Sequence, residues 1–323
     1  MTARPPAREG PSPLPSPPTD TTLGAALRVA IRALTPHSPS PRADAEILLG
    51  HVLGKPRHWP YVWRDKPIAD PVLGQFRDLV TRRATGQPIA WLTGRRAFWT
   101  LDLRVTPDVL IPRPDTETLV EVALALIPED ASWRIADLGT GTGPVALALA
   151  RERPGCRITA TDISAAALAV ASRNATEHRV ENVTFRAGDW FAALEASSPA
   201  PPDAPPSPGR GTSGAPDPIP PYSLILSNPP YVAADDPHLA RGDVRFEPAL
   251  ALIGGPDGLD AIHHIARHAR HYLAPGGWLA LEHGYDQGAR VRTLLEGFGY
   301  RGITTRRDDG GQERVTWAAW GEA

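Results

Sequence analysis

Residues 134–150 read RIADLGTGTGPVALALA. A short apolar segment around Ile135 runs into Gly139, Gly141 and Gly143, and then into Pro144 and an alanine- and leucine-rich stretch. This is the pattern of a buried strand, a tight loop and a helix. Glycines at the loop permit positive φ and let a ligand approach the backbone. Pro144 suits a first helical turn, where its missing N–H costs nothing. The plain alternative is an ordinary strand-to-helix turn.

The same alternation extends in both directions. RIADLG, RITATDI, VTFRAGDW and SLILSN read as short buried strands, and PVALALARER and AAALAVASRNATEH between them as helices. This predicts an α/β domain with a mostly parallel, doubly wound sheet. A helix is expected near 259–272, then the strand GWLALEHG, then a helix near 287–298. GITTRRD and RVTWAAW read as a final hairpin, which places one antiparallel strand at the sheet edge.

Residues 21–86 carry apolar residues at helical spacing in ALRVAIRAL, ADAEILLGHVL and VLGQFRDLVTRRAT, which predicts a small helical domain. PIAWLTGRRAFWTLDLRV alternates, so 87–112 is expected as a hairpin connector, with the α/β domain over 113–323. The Pro-rich tail 1–20 and the segment 197–221, with ten prolines, are expected to be disordered.

Bulk composition excludes several classes. The chain has 323 residues and a net charge of −2, with one cysteine, Cys156. A lone cysteine cannot build a disulfide framework or a four-thiolate zinc site, so no metal is expected and a reducing, cytoplasmic setting fits. No apolar run approaches a membrane span, and the N-terminus has no signal-peptide core. Residues 1–90 carry a charge of +5 and the remainder −7, so stable nucleic-acid binding is not expected of the whole chain.

Strand ends locate the candidate site. Asp137 precedes the loop Gly139, Thr140, Gly141, Thr142, Gly143, and suits a ligand bearing an ammonium and a carboxylate. Counted from Gly141, the glycines also meet the dinucleotide spacing formally, so they do not by themselves exclude NAD. Asp162 ends the second strand, where a carboxylate can accept from both hydroxyls of a ribose; Ser164 is the better helix cap. Trp190 ends the third strand in GDW and reads equally as an adenine-holding ring or as core. Together these ends outline an S-adenosylmethionine pocket.

The fourth strand ends in Asn228-Pro229-Pro230-Tyr231. With strand order 3-2-1-4-5, strands one and four flank the reversal point, where ligands bind. Prolines remove N–H donors and hold the chain extended, so this segment offers carbonyls. With the Asn228 side-chain oxygen and the Tyr231 face it forms a clamp for a planar –NH2 group. The plain alternative is a strand stop.

These residues resemble the release-factor glutamine methyltransferase family. The likeness runs over nearly the whole chain, through DAEILLGHVLG, PIAWLTGRRAFW, LIPRPDTETLVE, DLGTGTG, GDWF, SNPPYV, DPHLARGDVRFEP, LEHGYDQG and RRDDGGQERV. The resemblance implies a class I methyltransferase fold with a seven-stranded sheet. It implies S-adenosylmethionine as cofactor and the Gly-Gly-Gln loop of class I peptide-chain release factors as substrate, with the helical domain holding the partner. It implies cofactor contacts at Gly139 to Gly143, Asp162, Trp190 and Asn228, and glutamine contacts at Asn228 to Tyr231, with Arg113, Pro114 and Glu117 lining the pocket. NPPY is shared with adenine amino-methyltransferases acting on DNA or RNA, and a sister family methylates a ribosomal-protein glutamine; both remain alternatives. The chain's own Gly310-Gly311-Gln312 reads as a hairpin turn, with a substrate mimic as the other reading.

Overall fold

The computed structural model describes residues 21–195 and 221–321. The expected tail at 1–20, and all but the last residue of the expected insertion at 197–221, lie outside the described residues. The chain divides into two compact units: the first runs to Arg95 and includes Pro237–Phe246, and the second comprises Arg96–Asp236 and Glu247–Ala323.

The first unit is built from α1 (Leu23–Leu34), α2 (Pro41–Leu53), α3 (Trp59–Val62), α4 (Asp70–Ala84) and α5 (Ile89–Thr93). Thr22 caps α1 by accepting from Ala25 N–H, and Pro41 opens α2, which Gly54 closes with φ +62°. Leu27, Leu34, Leu48, Leu49, Phe76 and Val80 form the core between these helices. Two buried charges pair inside it: Arg83 Nε meets Asp44 Oδ2 at 2.7 Å, and Arg83 also reaches Asp243 Oδ1 at 2.8 Å. That second contact ties the segment Pro237–Phe246 to this unit, although it follows the fourth sheet strand in sequence.

PIAWLT is α5 and not the first arm of a hairpin. Pro88 stands at its N-cap and Gly94 at its C-cap with φ +69°. Proline before and glycine after are helix boundary signals, and they outweigh the alternation. The hairpin is the shorter pair β1 (Arg95–Phe98) and β2 (Leu101–Arg104).

The second unit continues through α6 (Glu117–Leu126), β3 (Arg134–Leu138), α7 (Pro144–Glu152), β4 (Arg157–Asp162), α8 (Ala165–His178), β5 (Val183–Ala187) and α9 (Ala192–Glu195). It then runs through β6 (Tyr222–Ser227), α10 (Asp260–Ala269), β7 (Leu273–Glu282), α11 (Gly288–Gly297), β8 (Arg301–Arg307) and β9 (Glu313–Ala319). The seven-stranded sheet has the order β5-β4-β3-β6-β7-β9-β8. β3, β4, β5, β6 and β7 are parallel, and β9 runs antiparallel to both β7 and β8. The antiparallel strand is therefore β9, inserted inside β8, which forms the outermost edge.

Side-chain alternation divides the central strands between two cores. Ile135, Leu224, Leu226 and Ala280 face a core shared with α6 and α7. Ala136, Leu138, Ile225, Leu279 and Leu281 face a core shared with α10 and α11. Strands buried on both faces read as near-continuous apolar runs for this reason. The chain leaves β5 at one side and returns at β6 beside β3, so the order reverses between β3 and β6. Leu138 pairs with Ser227 at this point, and Ser227 Oγ donates to Leu138 O at 2.6 Å.

Candidate active site

The carboxyl ends of β3, β4, β5 and β6 open on one cavity of about 520 Å3, all within the second unit. Its walls include Gly139, Thr140, Gly141, Thr142, Asp162, Trp190 and Asn228. Gly143 lies just behind the loop and caps α7.

The loop after β3 is held from three sides. Thr140 N–H donates to Thr161 O at 2.8 Å, and Thr140 Oγ1 donates to Asp137 Oδ2 at 2.6 Å. Gly141 N–H donates to Asp162 Oδ2 at 2.8 Å. Gly139 and Gly141 have φ +72° and +56°, a region that side chains with a Cβ rarely adopt. A Cβ on Gly139 would lie 3.5 Å from the Trp190 ring, so the indole covers the loop. Trp190 also packs on the second core, so it is both cavity wall and core. Its own φ is +43°.

Asp162 uses one carboxylate oxygen for Gly141 N–H and the other for Ser164 N–H, the latter at 2.8 Å. A carboxylate offers about four lone-pair sites, so acceptor capacity remains toward the cavity. Ser164 caps α8 through Ala167 N–H at 3.1 Å. Burial pushes the Asp162 carboxyl up against the hydrogen bonds that hold it down. Burial likewise raises Asp137 to about 7. Thr142 and Thr161 line the cavity, and their Oγ1 atoms are buried with no hydrogen-bond partner among the described residues.

Asn228 follows directly on β6. Its Nδ2 donates to Thr116 Oγ1 at 3.1 Å, which turns Oδ1 the other way. Asn228 and Pro230 border the cavity, whereas Pro229 is buried behind them. Tyr231 does not border it either: its phenol O–H donates to Glu282 Oε1 at 3.1 Å. The buried carboxylate that ends β7 thus holds the Tyr231 hydroxyl, a contact that fixes the phenol oxygen and not the faces of the ring. Burial and the Glu282 charge raise this phenol well above its usual range.

Of the three residues expected from IPRPDTE, Arg113 borders the cavity and donates to the buried Glu247 Oε1 at 2.7 Å. Pro114 is exposed outside it. Glu117 Oε1 accepts from Trp99 N–H at 2.8 Å and so holds the β1–β2 turn. Gln312 lies in the β8–β9 turn, where its N–H donates to Asp308 Oδ1 at 2.9 Å and Gly311 N–H donates to Asp308 O at 2.8 Å.

Several site residues escape the linear reading. Asn174 on α8 is fully buried and donates to Thr142 O at 2.9 Å while accepting from Arg104 N–H at 2.8 Å, so it latches the glycine loop to β2. A lone asparagine on the apolar face of a helix is the signal. Ile163, 56% exposed, presents an apolar wall next to Asp162. The segment LIGGPDGLD, residues 252–260, packs against NPPY: a Cβ on Gly254 would lie 2.3 Å from Pro230 O, and one on Gly258 2.3 Å from Tyr231 O. Three glycines around one proline signal that close approach. Among the described residues no group of His, Cys, Asp and Glu is arranged to hold a metal ion, and no helix is long and apolar enough to cross a membrane.

Two family models match, the PrmC N-terminal domain over residues 25–94 and a methyltransferase domain over residues 129–202. The chain is 48% identical to the release factor glutamine methyltransferase of Xylella fastidiosa over 275 residues, 85% of this chain and 92% of that protein. It is 46% identical to that of Vibrio cholerae over 299 residues, 91% and 96% of the two chains. It is also 46% identical to that of Escherichia coli over 290 residues, 90% and 96%. Identity at this level over nearly full length, on a sheet whose reversal point carries the glycine loop and NPPY together, means that the chain belongs to the release factor glutamine methyltransferase family.

Proposed function

We propose that the chain methylates the side-chain amide nitrogen of the glutamine in the Gly-Gly-Gln loop of class I peptide-chain release factors. The observation that carries this reading is the Asn228 amide, anchored by its nitrogen on Thr116, with its oxygen free for a substrate –NH2 beside the glycine loop.

S-adenosylmethionine, when bound, supplies an electrophilic methyl group on a sulfonium. The cavity fits it in size and chemistry. The open acceptor sites of Asp162 suit ribose hydroxyls. Ile163 and Trp190 offer apolar surface for a flat base. The N-terminus of α7, with the orphaned Thr142 hydroxyl beside it, suits a carboxylate, and the Asp137 side of the loop suits an ammonium.

The chain's own task is to improve a poor nucleophile. An amide nitrogen shares its lone pair with the carbonyl. Asn228 Oδ1 and the Pro229 carbonyl, to which no described residue donates, accept its two hydrogens and favour the pyramidal, electron-richer form. The hydrogens become more acidic as the nitrogen gains positive charge, so these contacts strengthen in the transition state. The resulting cation is a strong acid and passes its proton to water without a dedicated base. Holding the nitrogen in line supplies much of the remaining acceleration.

The helical unit is assigned to holding the protein partner. Tyr61, Val62 and Trp63 are exposed there, with Lys66 4.2 Å from the Trp63 ring centre. The reading places the chain in translation termination in the cytoplasm. Labelled S-adenosylmethionine offered separately to purified release factor, ribosome and DNA tests it. Label on the release-factor glutamine is expected; label on DNA or a ribosomal protein, with none on release factor, overturns it.

A further inference from the structure

Two stretches separated in sequence share one wall of the cavity: NPPY with the residues after it, and the strip LIGGPDGLD. Asn228 and Pro230 border the cavity from the first, and Ile253, Gly254 and Gly255 from the second. The two meet in a parallel bridge between Val232 and Ile253 that stands outside the named strands. Val232 N–H donates to Leu252 O at 2.9 Å, Gly254 N–H donates to Val232 O at 2.9 Å, and Ala234 N–H donates to Gly255 O at 3.0 Å. So short a pairing is marginal in water without further support.

Gln287 supplies that support. It stands at the N-cap of α11 and is buried. Its Nε2 donates to Tyr231 O at 2.9 Å and to Gly258 O at 3.4 Å. Its Oε1 accepts from Gly284 N–H at 2.8 Å. One side-chain amide thus reaches both stretches of the wall and the turn that follows β7. All three partners are backbone groups, whose roles as donor or acceptor are fixed, so the amide can face only one way. It needs an acceptor at one end and two hydrogens at the other, which a glutamine has and a carboxylate has not. Glycine permits the close approach: a Cβ on Gly258 would lie 2.7 Å from Gln287 Nε2.

We infer that Gln287 is a positioning residue for the substrate clamp, tying the NPPY backbone at Tyr231 to the strip 252–260 so that Asn228 and the Pro229 carbonyl keep their place in the cavity wall. A displacement of about 1 Å at a positioned group can cost about 10²-fold in rate. Among the described residues the Gln287 side chain bonds only to Gly284, Tyr231 and Gly258. None of these belongs to the loop Gly139–Gly143 or touches Asp162, so the cofactor side of the cavity is independent of it. The inference rests on the reading of Asn228 and Pro229 as the acceptors of the substrate amide.

Gln287→Glu keeps the length of the side chain and exchanges its –NH2 for an oxygen. Ionised, the new carboxylate sets a charge against two carbonyl oxygens and releases them. Protonated, it still accepts from Gly284 N–H and donates to Tyr231 O. Burial and the two carbonyls hold its proton on, so the variant acquires a pH switch that a glutamine cannot have. Asp286 on the turn, with Arg292 and Glu313 beside Gly288, are the charged side chains around this position, and both proteins share them.

The test combines kinetics with a measurement that needs no substrate. In cofactor-free protein at about pH 8, the bridge amides of Val232 and Gly254 should exchange with water at least about tenfold faster in Gln287→Glu than in wild type. The Thr140 amide, which donates to Thr161 O in the glycine loop, should exchange as in wild type. On release factor, kcat of Gln287→Glu relative to wild type should be about 10- to 100-fold lower at about pH 8 and should recover at least about threefold at about pH 6. Its affinity for S-adenosylmethionine should stay within about threefold of wild type. Gln287→Met should show the faster exchange and the lower kcat without the recovery. Wild-type exchange at the bridge in both variants overturns the inference. So does a kcat loss in Gln287→Glu that is equal at the two pH values, or one matched by an equal loss of cofactor affinity. If Gln287→Glu does not fold, Gln287→Met decides by bridge exchange and by the split between kcat and cofactor affinity. If wild type fails to methylate release factor, the proposed function falls, while bridge exchange still decides whether Gln287 holds the wall.

Discussion

Asn228 and Glu282 stand across from one another where β6 and β7 end, one residue beyond the Ser227–Leu281 pair, and Tyr231 bridges the two strand ends. Tyr231 reaches Glu282 at 3.1 Å and Asn228 reaches Thr116 at 3.1 Å. The segment that begins at Asn228 is thus tied to a buried carboxylate through the tyrosine three residues on.

Asn228→Ala removes the acceptor and keeps the fold. We expect kcat to fall by roughly 10²–10³, the scale of one lost transition-state contact, while S-adenosylmethionine affinity measured by calorimetry changes by less than about tenfold. Turnover within about threefold of wild type would remove Asn228 from the clamp.

Asp162→Ala breaks the contact to Gly141 N–H and the acceptor sites facing the cavity. Loss of hydrogen bonds to a charged group costs about 1.5–3 kcal/mol. Affinity for S-adenosylmethionine should therefore drop about 10- to 150-fold, with little change in kcat at saturation. Titration calorimetry checks it; undiminished affinity would show that Asp162 only braces the loop.

Gly254→Ala places a methyl group 2.3 Å from the Pro230 carbonyl. Backbone must shift to admit it, at about 1–3 kcal/mol for an overpacked site. Thermal unfolding should report that loss. kcat should fall along with it, because NPPY is the segment displaced. A variant with normal melting temperature and normal kcat would mean that the two loops part freely.

Glu282 and Asp137 both set a pH dependence of stability with the same sign. Glu282 is raised to about 7 from an ordinary 4.5, and Asp137 to about 7 from 3.8. A proton held more tightly in the folded than in the unfolded chain stabilises fully below the unfolded value, and the gain is lost as pH rises through the folded one. Wild type should therefore lose melting temperature between about pH 5 and pH 8. Glu282→Gln should lose less over that range, with Asp137 supplying the remainder. A slope identical in the two proteins would place the Glu282 proton elsewhere.

Much of the second unit was legible because its strands are buried on both faces. Ile135, Leu224, Ile225 and Leu279 make apolar runs with no competing helical period, and α7 and α8 begin at Pro144 and after the Ser164 cap as read. PIAWLT misled because alternation over a few residues is also compatible with one helical turn, and the flanking Pro88 and Gly94 carried the better information. α6 drew no prediction of its own: TLVEVALAL is apolar nearly all round, as befits a buried helix whose face cannot be read from periodicity.

The amino-acid order by itself determined the strand–loop–helix at Gly139–Gly143, the acceptor-rich end at Asn228, and the place of each at a strand terminus, because these depend on local backbone freedom and periodicity. Only the tertiary structure decided that the Tyr231 hydroxyl meets Glu282, that Glu117 serves the β1–β2 turn, and that Gln287 and Arg314 come to the residues around NPPY. Those outcomes depend on which buried donors and acceptors meet across strands far apart in the chain. No local pattern records such a meeting, since the cost of an unpaired buried polar group is settled only when the sheet closes.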